Sequence, residues 1–202
     1  TRTRVLVYDF GPRFGKFSLG EAVVLPYLIG EGHRQIDIAV VSHGANDHAG
    51  GFPAVFDQLP IKEVFSGAPG SVPGANCHLA ADAPWVWDGV RFSFLKSLPN
   101  NIRDANDRSC VLSIQGRYAS ALLTGDIETP SEQVLIGHYG HRLQTDLLQI
   151  PHHGSKTSST KNFLRRTVPR HAVLSRGRQN RFDHPASEVV KRYEMQQARI
   201  WD

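Results

Sequence analysis

Val40-Val41-Ser42-His43-Gly44-Ala45-Asn46-Asp47-His48-Ala49-Gly50-Gly51 is the stretch from which the rest of the chain can be read. It begins as the end of an apolar run, Ile36 to Ser42, that suits a buried strand. It then breaks into a loop carrying His43, Asp47 and His48. Gly44, Gly50 and Gly51 let that loop turn sharply, and a helix is expected from about Gly50 to Gln58. Two imidazoles and a carboxylate in one tight turn after a strand are the residue types that hold a divalent cation.

Outward from this loop the chain alternates short strands with helices, which indicates an α/β fold. On the N-terminal side, Arg4 to Asp9 reads as a strand, and residues 20–30 read as a helix kinked near Pro26. On the C-terminal side, strands are expected at 61–65 and Arg91–Leu95, with mostly loop or turn over 66–90 where Gly, Pro and Ala accumulate. Ser109–Gln115 and Tyr118–Thr124, separated by Gly116-Arg117, read as a hairpin on a two-residue turn. A helix is expected over 130–138, a strand over Asp146–Ile150, a helix over 158–166 and a strand over Ala172–Ser175. A helix from Pro185 to about Gln197 and a short strand at Ile200-Trp201 complete the pattern.

The reactive residues fall where strands end. Asp126 follows Thr124-Gly125, His152 and His153 follow Ile150-Pro151, and His184 precedes Pro185. Strand ends are where α/β folds assemble their chemistry. A hydrolytic centre needs neutral imidazoles and carboxylates around one or two ions, with a place left for water whose pKa the ion lowers. A His and Asp set suits zinc or manganese. Asp126 is placed to bridge two ions. Adjacent His152 and His153 point different ways, so at most one is a direct ligand and the other orients substrate or acts as a general acid. Ser155, with Gly154 and the helix beyond, offers a hydroxyl and backbone N–H groups to a phosphate.

Composition narrows the class. The chain has 202 residues, 40% hydrophobic and 21% charged, which fits one globular domain, or at most two small ones, with a sizeable core. No run of 18 apolar residues exists to span a membrane, and the start lacks the apolar core of a signal peptide. The abrupt start reads as a fragment of something longer. Cys77 and Cys110 form no C-x-x-C pair, so thiolate metal binding is set aside and two half-buried free thiols are expected, with a single disulfide as the alternative. Ten histidines point to imidazole chemistry instead.

Charge is uneven. Residues 1–150 carry 12 Lys and Arg against 15 Asp and Glu, a balance of −3; residues 151–202 carry 11 against 4, a balance of +7. The basic set is Lys156, Lys161, Arg165, Arg166, Arg170, Arg176, Arg178, Arg181, Lys191, Arg192 and Arg199. Such a cluster suits a polyanion, with Lys156, Arg176 and Arg181 as candidate substrate contacts beside Ser155.

At these residues the sequence resembles the metallo-β-lactamase superfamily, and within it the C-terminal domain of the ComEC competence proteins, DNA-uptake channels of the bacterial inner membrane. The resemblance rests on Tyr8 to Gly15, Val24 to Leu28, Val41 to Gly51, Leu122 to Asp126, Ile150 to Ser158 and Asn180 to Pro185. It implies an αββα sandwich of two mixed sheets flanked by helices, formed by residues 1–202 as one domain. It implies one or two divalent metal ions and hydrolysis of the DNA strand that is not transported. His43 is then assigned to the first metal and Asp47 with His48 to the second, with Asp126 bridging. His152 or His153, and His184, fill the remaining metal or substrate-facing places, with His152 and His184 taken as the metal candidates. Under the nuclease reading, which the residues themselves suggest, Asp47 also serves catalysis and His153 is the expected proton donor. The implied partners are DNA and the channel portion of the parent protein, and the implied location of the domain is periplasmic.

Two departures set a second reading beside the first. The superfamily loop is His-x-His-x-Asp-His, and Ala45 stands at its third place, where no ligand side chain is available. The usual third-motif histidine is not evident near Asn106-Asp107-Arg108-Ser109. Asp107 is read as capping the turn before the hairpin. A DNA-binding or gating domain with weakened catalysis is therefore the alternative to a nuclease. Hydrolysis of a small ester or lactone is a third, disfavoured by the basic segment.

Overall fold

The computed structural model describes residues 1–102, 104–177 and 180–202; Arg178 of the basic set lies outside them. The chain divides into two compact units, Thr1–Ala80 and Ala81–Asp202.

The first unit contains strands β1 (Leu6–Tyr8), β2 (Arg13–Phe14) and β3 (Phe17–Ser18), helix α1 (Leu25–Gly30), strand β4 (Ile36–Val41), helices α2 (Asn46–Ala49) and α3 (Phe52–Phe56), and strands β5 (Ile61–Ser66) and β6 (Ala75–Asn76). Its sheet has the order β1-β4-β5-β6, and every pairing is parallel. All six residues of β4 are buried, as expected of a central parallel strand covered on both faces. The core gathers Phe10, Leu25, Leu28, Ile36, Phe52 and Val55, with Phe10 and Phe52 edge to face at 5.2 Å. β2 and β3 form a separate antiparallel hairpin.

Two expectations change in this unit. The helix expected over 50–58 is present but shorter, as α3 with Pro53 in its first turn, and the additional turn α2 stands before it in what reads as loop. The kinked helix over 20–30 is a π-helical turn, Gly20–Val24, running into α1, with Pro26 in the first turn of α1.

The second unit contains β7 (Trp85–Trp87), β8 (Val90–Leu95), β9 (Val111–Gln115), β10 (Ser120–Leu123), α4 (Thr129–Tyr139), β11 (Leu147–Gln149), α5 (Lys161–Thr167), β12 (His171–Val173), α6 (Ser187–Met195) and β13 (Arg199–Trp201). Its sheet has the order β13-β12-β11-β10-β9-β8-β7. It is antiparallel from β7 to β10 and parallel from β10 to β13. Its core includes Leu122, Ile127, Leu135, Leu148, Phe163 and Tyr193.

The region 66–90 is mostly loop and turn, as expected; the strands within it, β6 and β7, are too short to leave hydrophobic periodicity to read. The β9–β10 turn spans Gly116 to Ala119 rather than two residues, because Gln115 pairs with Ser120 and Gly116 N–H donates to Ala119 O at 2.9 Å. Both cysteines are disulfide-bonded, which overturns the expectation of free thiols. Among the described residues no helix is long and apolar enough to cross a membrane.

Candidate metal centre

In the first unit the ligand loop leaves the end of β4 and is sewn to the segment after β1. Phe10 N–H donates to His48 O at 2.9 Å, and Gly51 N–H donates to Gly11 O at 2.7 Å. A Cβ at Gly51 would stand 2.1 Å from Phe10 O, so no larger residue fits this close backbone approach. The loop therefore holds a fixed position against Asp9.

Asp9 organises the donors. Its Oδ2 lies 2.7 Å from His48 Nδ1 and accepts from Ser42 Oγ at 2.9 Å, while its Oδ1 accepts from Ser42 N–H at 2.7 Å. A carboxylate only accepts, so His48 carries its proton on Nδ1 and presents Nε2 as the donor nitrogen. Asp47 Oδ2 stands 3.9 Å from that Nε2. Ser42 Oγ also lies 3.1 Å from His43 Nδ1, and the His43 and His48 rings are 4.4 Å apart. His43 and His48 are buried, whereas Asp47 is about half exposed. His43, Asp47 and His48 thus come together, and Asp9, absent from the expected site set, orients them. The pairing spans 39 positions, so no local spacing announces it.

In the second unit the turn after β10 presents Asp126. Gln149 Oε1 accepts from Thr124 N–H and Gly125 N–H at 3.0 and 3.2 Å, and Asp126 N–H donates to Ser109 Oγ at 3.0 Å. Opposite it, His152 and His153 both occupy left-handed backbone conformations, with φ of 49° and 51°. Two consecutive non-glycine residues there store strain of the kind found at functional sites. Gly154 follows at φ 80°, where a Cβ would stand 2.5 Å from Pro185 Cβ.

This backbone turns the two imidazoles to different partners. His153 Nδ1 donates to Ser175 O, and its Nε2 lies 3.3 Å from Asp126 Oδ2. His152 Nδ1 lies 3.1 Å from Glu128 Oε1, while its Nε2 is 3.4 Å from Asn106 Nδ2 and 4.0 Å from Asp126 Oδ2. Glu128 and Asn106 are thus further members of the site that spacing did not single out. His184 packs its ring 5.8 Å from that of His152 and 5.7 Å from that of Phe182. Burial, then the neighbouring His152 and His153, lowers the His184 pKa and favours the neutral ring. Asn180 clasps the backbone of His184 from both sides.

Other expected residues sit differently. Asp107 does not cap the turn before the hairpin: its Oδ1 accepts from Glu128 N–H at 3.0 Å and Ser131 N–H at 3.4 Å, so it caps α4. Ser155 is buried and its hydroxyl lies 3.0 Å from Thr157 Oγ1, so it shapes the loop rather than facing outward. Arg176 is engaged bidentately by Asp202. Lys156 is exposed, and Arg181 is exposed with its guanidinium over the Phe182 ring. Ala45 is the residue before α2 and provides no side-chain cap.

The donor chemistry in each unit fits a divalent cation: imidazoles held through Nδ1, Nε2 turned toward a carboxylate, and second partners fixing the tautomer. The fold and these residues define the metal-dependent hydrolase class of fold, with a candidate metal site. The profile of the metallo-beta-lactamase superfamily matches residues 1–178, and the chain belongs to that superfamily.

Its relatives include Competence protein ComA of Neisseria gonorrhoeae, 38% identical over 95% of this chain and 27% of the relative. Recombination protein 2 of Haemophilus influenzae is 35% identical over 93% of this chain and 23% of the relative. The chain thus spans about a quarter of the length of these relatives. Among solved structures, YhfI from Bacillus subtilis, a metallo-beta-lactamase fold protein, superposes with a TM-score of 0.58 at 13% identity, covering 99% of this chain and 85% of that one. Tm1679, a metal-dependent hydrolase of the beta-lactamase superfamily, gives 0.58 at 13% identity, covering 98% and 85%. These likenesses establish the metallo-β-lactamase fold.

Proposed function

We propose that this chain is the nuclease domain of a DNA-uptake protein, hydrolysing phosphodiester bonds of the non-transported strand during natural transformation. One observation carries the hydrolytic half. In each unit an imidazole is pinned through Nδ1, His48 by Asp9 and His153 by Ser175 O, so that Nε2 faces Asp47 or Asp126. The relatives named for competence and the +7 balance of residues 151–202 support DNA as the substrate.

In this reading His43, Asp47, His48, Asp126 and His153 hold one or two divalent ions, manganese or zinc. Such ions supply an acidified water and neutralise charge on the phosphate. His152 takes the proton-donor role, exchanged with His153: Glu128 orients its Nδ1, and its Nε2 remains at a half-buried surface. His184 packs against His152 and limits its rotation. Lys156 and Arg181 meet the phosphate backbone.

The domain belongs, on this reading, to a longer inner-membrane protein whose remaining length forms the channel, and it faces the periplasm. The disulfide-bonded state of Cys77 and Cys110 supports an oxidising compartment.

The test is cleavage of single- and double-stranded DNA by metal-stripped protein recharged with manganese. Asp47→Ala combined with His48→Ala lowers turnover by more than about 100-fold; survival of activity refutes the site. His152→Ala keeps bound metal but loses about 100-fold or more in rate, whereas His153→Ala loses metal. The alternative, a DNA-binding or gating domain with weakened catalysis, rests on Ala45. It predicts salt-sensitive binding without turnover, and cleavage that emerges in Ala45→Asp.

A further inference from the structure

The polar face of β8 and β9 has no part in the candidate metal centre. Along β8, Phe92 and Phe94 are buried, while Arg91 and Ser93 alternate with them on the opposite face. The register pairs Arg91 with Gln115 and Ser93 with Ser113, so cationic, amide and hydroxyl groups form a two-rung ladder. His138, from the last turn of α4, and Arg142, just beyond it, rise beside this ladder. Together these six side chains line a trough of about 710 Å³, a volume in the range of small-molecule sites.

The trough is cationic because its one lining carboxylate is already engaged. Asp82 Oδ1 accepts from Tyr139 Oη at 2.7 Å, and Asp82 Oδ2 pairs with Lys96 Nζ at 2.9 Å. Arg91 and Arg142 make no ion pair with a carboxylate among the described residues. Arg142 is held in place by donating to His138 O at 2.9 Å and lying over the Tyr139 ring at 5.5 Å. Two guanidinium groups and two serine hydroxyls lining one trough match the oxygens of a phosphate, which accepts several charge-assisted hydrogen bonds at once. A face covered only to exclude water would carry apolar residues at these alternating positions.

We propose that this trough is a phosphate-binding site, gripping a phosphate mono- or diester through Arg91 and Arg142, with Ser93, Ser113 and Gln115 as neutral donors. It requires no metal and no hydrolysis, so it stands apart from the nuclease reading. The phosphate belongs to a small anion or to a nucleic-acid backbone, and the experiment separates these sources.

The experiment uses the full chain in EDTA at fixed ionic strength, so that no cleavage contributes. Inorganic phosphate is titrated by calorimetry, with the imidazole signal of His138 followed by NMR. A fluorescein-labelled oligothymidylate is titrated by anisotropy. The double variant R91A/R142A should weaken phosphate binding by about tenfold or more and abolish the saturable His138 shift. A control, K16A/R34A, removes equal charge from exposed positions of the first unit, outside the basic segment, and should leave both unchanged. The variant S93A/S113A keeps the charge and should weaken phosphate by a smaller factor. If oligothymidylate weakens in R91A/R142A beyond the control, the source is a nucleic-acid backbone. If only inorganic phosphate weakens, the source is a small anion. The proposal is overturned if R91A/R142A binds both probes as the control does, or if His138 shows no saturable shift in the unaltered protein.

Discussion

Asp9 holds its carboxylate on a left-handed backbone, φ 62°, a conformation that Asp and Asn adopt more readily than other non-glycine residues. From there it fixes the tautomer of His48 and anchors Ser42. Asp9→Asn keeps the backbone but loses the charged acceptor, and should weaken divalent metal binding by about 10–100-fold in a chelator competition. Asp37 is a different buried acid. Burial alone would raise its pKa, but Val5 N–H, Lys62 and Arg4 outweigh that and hold it down to about 2. A depressed carboxylate contributes stability that is present above its unfolded pKa of about 4. That contribution is lost as pH falls from about 4 toward 2. Asp37→Asn should therefore cost about 2 kcal/mol in urea melts at pH 7 and much less near pH 2. The seven candidate histidines and aspartates, His43, Asp47, His48, Asp126, His152, His153 and His184, are legible in the sequence because each carries its own chemistry at a strand end or in the loop beyond it. Asp9 and Glu128 are not, because their roles exist only through partners brought to them by the fold.

At the level of elements, the turn 152–154 decides where two imidazoles point. Its third residue is glycine for two reasons, a φ of 80° and contact with Pro185. Gly154→Ala should lower stability by about 2 kcal/mol in thermal melts and impair metal retention through His153. The segment entering α5 depends on Glu132, a buried acid in α4 whose pKa burial raises. Its two oxygens accept from Ser159 N–H and Thr160 N–H. Glu132→Ala leaves two buried donors without their acceptor and should cost about 2–4 kcal/mol in denaturant melts, while Glu132→Gln keeps one acceptor and costs less. The long strands were readable from their apolar runs. The β9–β10 turn was misjudged because Tyr118 and Ala119 extend the apolar pattern without joining the ladder. Asp107 was assigned to the wrong element because its sequence neighbour is the hairpin, whereas its acceptors serve α4.

Across the whole molecule, each unit has its own apolar core, and each sheet lies within one unit. The break in charge near residue 150 does not follow that division, so the basic segment is a property of the surface rather than of folding. Oligonucleotide affinity should fall steeply and log-linearly with salt, by about 0.7 decades per decade of salt for each single-strand phosphate neutralised. Reduction of the disulfide-bonded cysteines should lower stability by roughly 2–4 kcal/mol, read as a drop in Tm with reductant. The α/β class was visible in the alternation of elements; the division into units was not, since Ala80 and Ala81 carry no linker composition. The hydrogen bond from His48 to Asp9 has a wider consequence. It sets the imidazole before any cation arrives, as a socket is cut before the plug. Capture of the ion then demands little rearrangement of that side chain, and a laboratory can exchange one ion for another and compare the resulting chemistries on an unaltered scaffold.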